Sequence, residues 1–306
     1  MNTAQAAPPI RYRYDFDQLD RVPDGLLSAR VTPRKYLSGD SATTGKSLSI
    51  GAVVAGKSLQ VSLVHNARGT GSKLHSHPNE QFNYVLHGTL IADIDGQVFR
   101  IPVGHMIHIP AGVVHSHVST AEDDVLFVAA KDTRHGIVGP PVDGRHDGPR
   151  TLPGFGTHDG NDWKVGADGL PEPQSPRTSA QAVGYLYNIA HMLDHATGGH
   201  WSGKVTARAD LASLLLAPTA TVSGEKLTVG MLRIAHRIAP AVRRCDVEQF
   251  FMVLEGELNA EIDGQSLVVP AHSGIHIPAG IPHALCAATG SGAFGMLVEA
   301  NAAAGI

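Results

Sequence analysis

Short runs of alternating or continuous apolar residues, each closed by a turn signal, fill both halves of the chain. LQVSLVH (59–65) and LTVGMLRIA (227–235) alternate or run apolar, as half-buried and buried strands do. IADIDGQVFRIP (91–102) and NAEIDGQSLVVP (259–270) each set Asp-Gly between two such runs, which is a hairpin signal. Pro110-Ala111-Gly112 and Pro278-Ala279-Gly280 mark further tight turns. Evenly spaced short strands with Gly and Pro punctuation predict an all-β antiparallel sandwich or barrel. Two stretches depart from this pattern. Residues 139–183 are rich in Gly, Pro, Asp and Ser and read as a long irregular connection. Residues 184–196, GYLYNIAHMLDHA, set Leu186, Ile189 and Leu193 on one helical face and predict a helical turn or more.

The pattern repeats. At a constant offset of 168 residues, Gln81-Phe82 returns as Gln249-Phe250, Val85-Leu86 as Val253-Leu254, and Asp95-Gly96-Gln97 as Asp263-Gly264-Gln265. Ile107-His108-Ile109-Pro110-Ala111-Gly112 returns as Ile275-His276-Ile277-Pro278-Ala279-Gly280, and His115 as His283. An ungapped register this long makes the chain a tandem of two like units. Val31-Thr32-Pro33-Arg34 echoes Val205-Thr206-Ala207-Arg208 at an offset of 174, so the first unit carries a loop about six residues longer. Domains are expected at 1–138 and 184–306, joined by the 139–183 linker.

Length agrees, since 306 residues suit two domains of roughly 100–150 residues each. A net charge of −4 with the charges intermixed gives no electrostatic footprint for nucleic acid or an anionic membrane, so a small molecule is the expected partner. No apolar stretch approaches the roughly 20 residues of a membrane span, and MNTAQAAPPIRYRYDFDQLD lacks the apolar core of a secretory signal. A cytoplasmic protein is expected. Cys245 and Cys286 cannot form a disulfide framework, and eighteen histidines against two cysteines turn any metal chemistry toward N and O ligands.

In the first half, Gly69, His75, Ser76, His77, Gln81 and Gly88 stand at the spacings of one motif, and Gly104, Pro110-Ala111-Gly112 and His115 at those of a second. These motifs resemble those of the cupin superfamily, and the likeness extends over both halves, which implies a bicupin of two jelly-roll barrels. It implies one divalent metal per chain on His75, His77, Gln81 and His115. Two departures stand out: family members usually have Glu where this chain has Gln81, and the second motif lacks its final Asn. Strand parity puts His75, His77 and Gln81 on one face and Glu80 on the other, unless a turn at Pro78-Asn79 breaks the count. An isolated strand histidine is usually packed or solvated, but four donors at these spacings fit a metal better.

Two histidines on one strand, a third on a later one and an oxygen donor leave coordination positions open for substrate, water or dioxygen. Imidazole suits Fe, Mn, Ni, Zn and Cu, and Fe(II) is the expectation that the resemblance favours. Gln in place of Glu leaves the ion its full +2 charge, which favours an anionic substrate such as an enolate, phenolate or carboxylate. Gln81 cannot act as a general base, so the base lies elsewhere or the substrate is already acidic.

The second half carries Arg243, Cys245, Gln249 and His283 at the matching positions. A guanidinium repels a cation, so this site reads as degenerate, with a Cys245-Gln249-His283 site as the alternative. Arg243 is expected to bridge to a barrel acid, with capture of a carboxylate the alternative. His108 and His276 survive in both halves and suggest a shared structural role. Cys286 reads as a small buried apolar residue. His135, His146, His158, His191, His195 and His200 lack the motif spacing and read as surface or loop residues.

The resemblance implies an Fe(II) dioxygenase cleaving a C–C bond of a phenolic acid or diketone. The alternatives are a non-redox isomerase, lyase or decarboxylase using Mn, Ni or Zn, and a binding protein without turnover. A homodimer is expected, with RYRYDFDQLD able to pair with a barrel edge in the same chain or a neighbour.

Overall fold

The computed structural model describes residues 11–19, 28–32, 50–72, 77, 79–133, 186–189, 219–234, 236 and 241–301. Their backbone forms two antiparallel barrels, each a large sheet facing a three-stranded one.

The first barrel's large sheet runs in the order β11 (Leu186–Asn188), β8 (His105–Ile109), β5 (Gln81–His87), β10 (Val125–Asp132), β4 (Leu59–Asn66), β3 (Ile50–Ala55) and β2 (Ser28–Thr32). It is closed by β7 (Gln97–Pro102), β6 (Thr89–Ile94) and β9 (His115–Ser119). The second barrel's large sheet orders β1 (Arg13–Asp15), β17 (Ser273–Ile277), β14 (Gln249–Glu255), β19 (Ala293–Ala300), β13 (Leu227–Ile234) and β12 (Thr219–Ser223). Its small sheet orders β16 (Gln265–Pro270), β15 (Glu257–Ile262) and β18 (His283–Ala287).

Both Asp-Gly hairpins form as expected. Asp95 and Gly96 have φ of 53° and 73°, and Asp263 and Gly264 have 51° and 75°, the double positive φ of a type I′ turn.

Strand pairing crosses the halves of the chain. Arg13–Asp15 pairs with Ser273–Ile275 of the second barrel, so the N-terminal arm joins an edge of its own chain. Reciprocally, Leu186–Asn188 pairs with His105–Ile107 of the first barrel. This corrects the helix expected over 184–196 at its start: 186–188 is a strand, Ile189 is helical as expected, and 184–185 and 190–196 lie outside the described residues. Leu186 enters the first barrel's interior cluster while Tyr187 enters the cluster between the barrels, a period of two. An open sheet edge with unpaired amides outweighs a weak helical periodicity.

The same alternation divides β5, β8 and β10 of the first barrel and β14 and β19 of the second. Val85, Ile107, Ile109, Val125, Phe127 and Ala129 fill the first barrel. Phe82, Tyr84, Met106, Val128 and Ala130 face the opposite way, into one core with Phe250, Met252, Met296 and Val298 of the second barrel. Each large side chain buried there contributes roughly 1.5–3 kcal/mol, so the two barrels form one folded body.

A pair of carboxylates locks this interface with approximate two-fold symmetry. Glu80 accepts hydrogen bonds from the backbone N–H groups of Glu225, Lys226 and Leu227 at 2.8, 2.7 and 2.5 Å and from His108 Nε2 at 3.2 Å. Glu248, its repeat mate, accepts from Lys57 N at 2.8 Å, Ser58 N at 2.5 Å and His276 Nε2 at 2.6 Å. A Cβ on Gly56 would collide with Glu248, and one on Gly224 with Glu80, so both hairpins need glycine at the point of closest approach. The His108 ring stacks on Phe82 at 4.4 Å. This clasp is the shared structural role of His108 and His276.

Candidate metal centre

The site grows out of the interior face of the first barrel. Gln81 opens β5 on the same side as Asn83 and Val85, and His115 opens β9. His77, Gln81 and His115 are all buried, at 3%, 2% and 0% exposure. The His77 and His115 rings stand 4.7 Å apart between centroids at 78°. Each directs Nδ1 to a backbone carbonyl, His77 to Asn79 O at 2.7 Å and His115 to Val113 O at 2.9 Å. If Nδ1 carries the proton, each Nε2 presents a lone pair, which in His77 meets the Lys131 amine and which a metal would take in its place. His75, the fourth expected ligand, lies outside the described residues.

Gln81 donates from Nε2 to Asn83 Oδ1 at 2.7 Å. Its Oε1 is buried with no hydrogen-bond partner among the described residues. An orphaned buried acceptor costs about 1–3 kcal/mol unless a ligand meets it. Gln81 pairs in register with Lys131, which reaches His77, so this oxygen and the two imidazoles share the barrel interior, and a donor set of that chemistry fits a divalent cation. Glu80 does not share the site, because its carboxylate is consumed by the clasp to the second barrel. Strand parity therefore separates Glu80 from Gln81 as the sequence suggested.

One neighbour was not foreseen. Lys131, buried on β10, places Nζ 3.2 Å from His77 Nε2. Burial pushes its amine down to about 7, against the opposing charge of Asp132. An amine that sheds its proton so readily tolerates a nearby metal that a permanent cation would repel. The signal was available in the repeat: Lys131 stands at the place of Glu299, an exchange of opposite charges on an otherwise apolar strand.

At the matching place in the second barrel, Gln249 Nε2 and the Cys245 thiol both donate to Glu299 Oε1, the thiol at 3.7 Å. Burial and the charge of Arg243 lower the pKa of His283, while its contact with the Ile281 carbonyl opposes them. Arg243 and His283 exchange backbone hydrogen bonds at 2.8 Å. Here a carboxylate engages the amide and thiol that the alternative reading offered to a metal. Among the described residues no group of three or more His, Cys, Asp or Glu could hold a metal ion, and in the first barrel that count reaches only His77 and His115. Cys286 is buried in β18 as expected. His135, His146, His158, His191, His195 and His200 lie outside the described residues.

Two tandem β-barrels with a histidine-lined interior in the first define a bicupin. The cupin domain model matches residues 62–131 and again 242–298, and the chain belongs to the cupin superfamily with one domain in each half. No curated protein matches the chain significantly in sequence. Among solved structures it is similar to Ylba of E. coli, at 13% identity and TM-score 0.56, covering 97% of this chain and 95% of that one. It is also similar to a salicylate 1,2-dioxygenase of Pseudaminobacter salicylatoxidans, at 14% identity and TM-score 0.55, covering 91% and 85%. The oxalate decarboxylase of Bacillus subtilis, a protein with Mn(II) centres, matches at 12% identity and TM-score 0.55, covering 97% and 79%. Such identities show a shared fold that includes enzymes. Among the described residues no helix is long and apolar enough to cross a membrane.

Proposed function

We propose that the chain is a metal-dependent dioxygenase that binds Fe(II) on His75, His77, Gln81 and His115 and cleaves a C–C bond of a small anionic substrate, a phenolic acid or a diketone. The observation that carries this reading is the buried set of His77, His115 and the unsatisfied Gln81 oxygen, a neutral ligand shell with a lysine beside it. A bound Fe(II) would supply Lewis acidity toward a chelating oxygen anion and electrons for dioxygen. The chain supplies the rest. Asn83 accepts from the Gln81 amide nitrogen, which leaves the amide oxygen for the metal. The Val113 and Asn79 carbonyls fix both rings, and Lys131 offers a donor or base that Gln81 cannot be. The apolar residues lining the barrel keep bulk water from the reacting oxygen.

Anaerobic loading with Fe(II), followed by oxygen-uptake assays over phenolic acids and β-diketones, tests it. Substrate-dependent oxygen consumption is expected. Protein that carries Zn or Ni and consumes no oxygen with any of these substrates contradicts the redox reading. One observation favours the second reading, a Lewis-acid isomerase, lyase or decarboxylase: the buried Lys131 amine stands 3.2 Å from His77 Nε2, and burial, by pushing it down, suits it to a proton transfer that needs no dioxygen. That enzyme would turn over anaerobically with Mn, Ni or Zn.

A further inference from the structure

The inner face of the first barrel carries more polar chemistry than metal binding uses. Lys131 on β10 pairs in register with Gln60 on β4 and with Gln81 on β5, so three polar side chains stand in one row. In the next row Ala129 lies between Asn83 and Ser62, and in the one after it Phe127 lies between Val85 and Val64. The His117 ring meets Phe127 edge-on at 5.4 Å and helps form the floor. Gln60 is 7% exposed and Asn83 fully buried, yet Gln60 Nε2 and Asn83 Nδ2 have no hydrogen-bond partner among the described residues. The inner faces of β4, β5 and β10 hold no Asp or Glu to receive these donors.

The second copy fills the same positions with different side chains. Gln60, Asn83, Ala129, His117 and Lys131 correspond to Thr228, Phe251, Leu297, Leu285 and Glu299. Phe251 and Leu297 pair in register and belong to that barrel's apolar cluster, and the Phe251 ring occupies the space in which a Cβ on Gly295 would stand. In the first barrel the polar row thus adjoins a small alanine and carries unsatisfied N–H groups, where the second barrel has Leu297 and Phe251.

We infer that Gln60, Asn83 and Lys131 form a carboxylate-binding subsite beside the metal centre, taking the carboxylate of a small flat organic acid whose body rests on Phe127 and His117. Two carboxamide N–H groups and one amine match two carboxylate oxygens, and the amine donates whether or not it is charged. This deepens the metal-enzyme reading, because it gives the same substrate a second anchor. It also restricts the substrate to one with a carboxylate, separating phenolic acids from simple diketones.

Calorimetric titration of the full-length protein with benzoate, and with benzamide as its neutral counterpart, tests the subsite both after chelator treatment and after metal loading. The chelated protein should bind benzoate at least about tenfold more tightly than benzamide. Gln60→Leu and Lys131→Met should each weaken benzoate by about tenfold, and Gln60→Glu should abolish its binding by offering an internal carboxylate. The Gln60 variants should keep the wild-type thermal midpoint and metal content, which excludes misfolding as the cause. Equal binding of the two probes, or benzoate binding indifferent to both Gln60 substitutions, overturns the subsite. So does benzoate binding that appears only with metal, since the carboxylate then sits on the ion and the metal reading survives. Benzoate binding by a protein that never retains metal has the opposite meaning: the subsite stands and the metal centre falls.

Discussion

At the scale of single residues the decisive contrast lies between neighbours, Glu80 and Gln81. Glu80 is the better metal ligand by charge, yet its oxygens receive three backbone N–H groups and an imidazole from the clasp, whereas Gln81 retains an unsatisfied oxygen beside His77 and His115. Metal analysis of purified variants follows directly: His77→Ala should lose the metal, while Glu80→Ala should keep it and lose stability instead. Removing Glu80 leaves His108 and three amides of the second barrel without their acceptor, a loss of about 3–5 kcal/mol that chemical denaturation will read. Metal loss in Glu80→Ala with full retention in His77→Ala would reverse the assignment. Asn83 should matter through Gln81. Asn83→Asp preserves the acceptor and should leave metal affinity within about threefold, whereas Asn83→Leu should weaken it by tenfold or more in a competitive chelator titration. The parity of Gln81 against Glu80 was legible from the alternation of faces along one strand. The clasp partners of Glu80 were not, because nothing local ties residue 80 to residues 225–227; only the paired survival of His108 and His276 hinted at a structural task.

Among the elements, the two short strands that cross between halves carry consequences out of proportion to their length. β1 spans three residues, yet Tyr14 and Phe16 are buried, and Phe16 meets the Phe250 ring edge-on at 6.0 Å. Phe16→Ala should cost about 3–5 kcal/mol and be felt in the second barrel. Amide exchange over Ser273–Ile277 should then accelerate more than exchange over the corresponding β8. Equal acceleration in both strands would mean that the arm supports the whole molecule and not that edge. Hairpins, turns and the strands of both barrels could be read from Asp-Gly, Pro-Ala-Gly and alternating apolar runs, because those are local physics. β11 could not: Leu186 belongs to a spacing compatible with a helix, which Ile189 does begin, and only the edge of β8, more than 70 residues away in sequence, makes 186–188 a strand.

Across the whole molecule, the barrels are bound by one apolar core and by Glu80 and Glu248. Burial alone would raise the pKa of both carboxyls, but the hydrogen bonds from His108 and His276 and the backbone amides outweigh it and hold both below their ordinary value of 4.5. The unfolded chain therefore takes up these two protons at higher pH than the folded one. Their stabilisation is complete above the unfolded value and is lost as the pH falls through it toward the folded values. The urea midpoint should decline from about pH 5 downward. The Glu80→Gln, Glu248→Gln double variant should start lower and lose less over the same interval; a parallel decline in both proteins would assign the acid sensitivity to other groups.

The proposed function makes the barrels unequal: the leading copy would bind an ion, and the trailing copy, with Arg243 and Glu299 in the equivalent places, would not. Metal quantification after anaerobic Fe(II) reconstitution, made on wild type, His115→Ala and His283→Ala, measures it most directly. The prediction is about one ion per chain in wild type and in His283→Ala, and almost none in His115→Ala. Two ions per chain, or loss of the metal on changing His283 with full retention on changing His115, would contradict it.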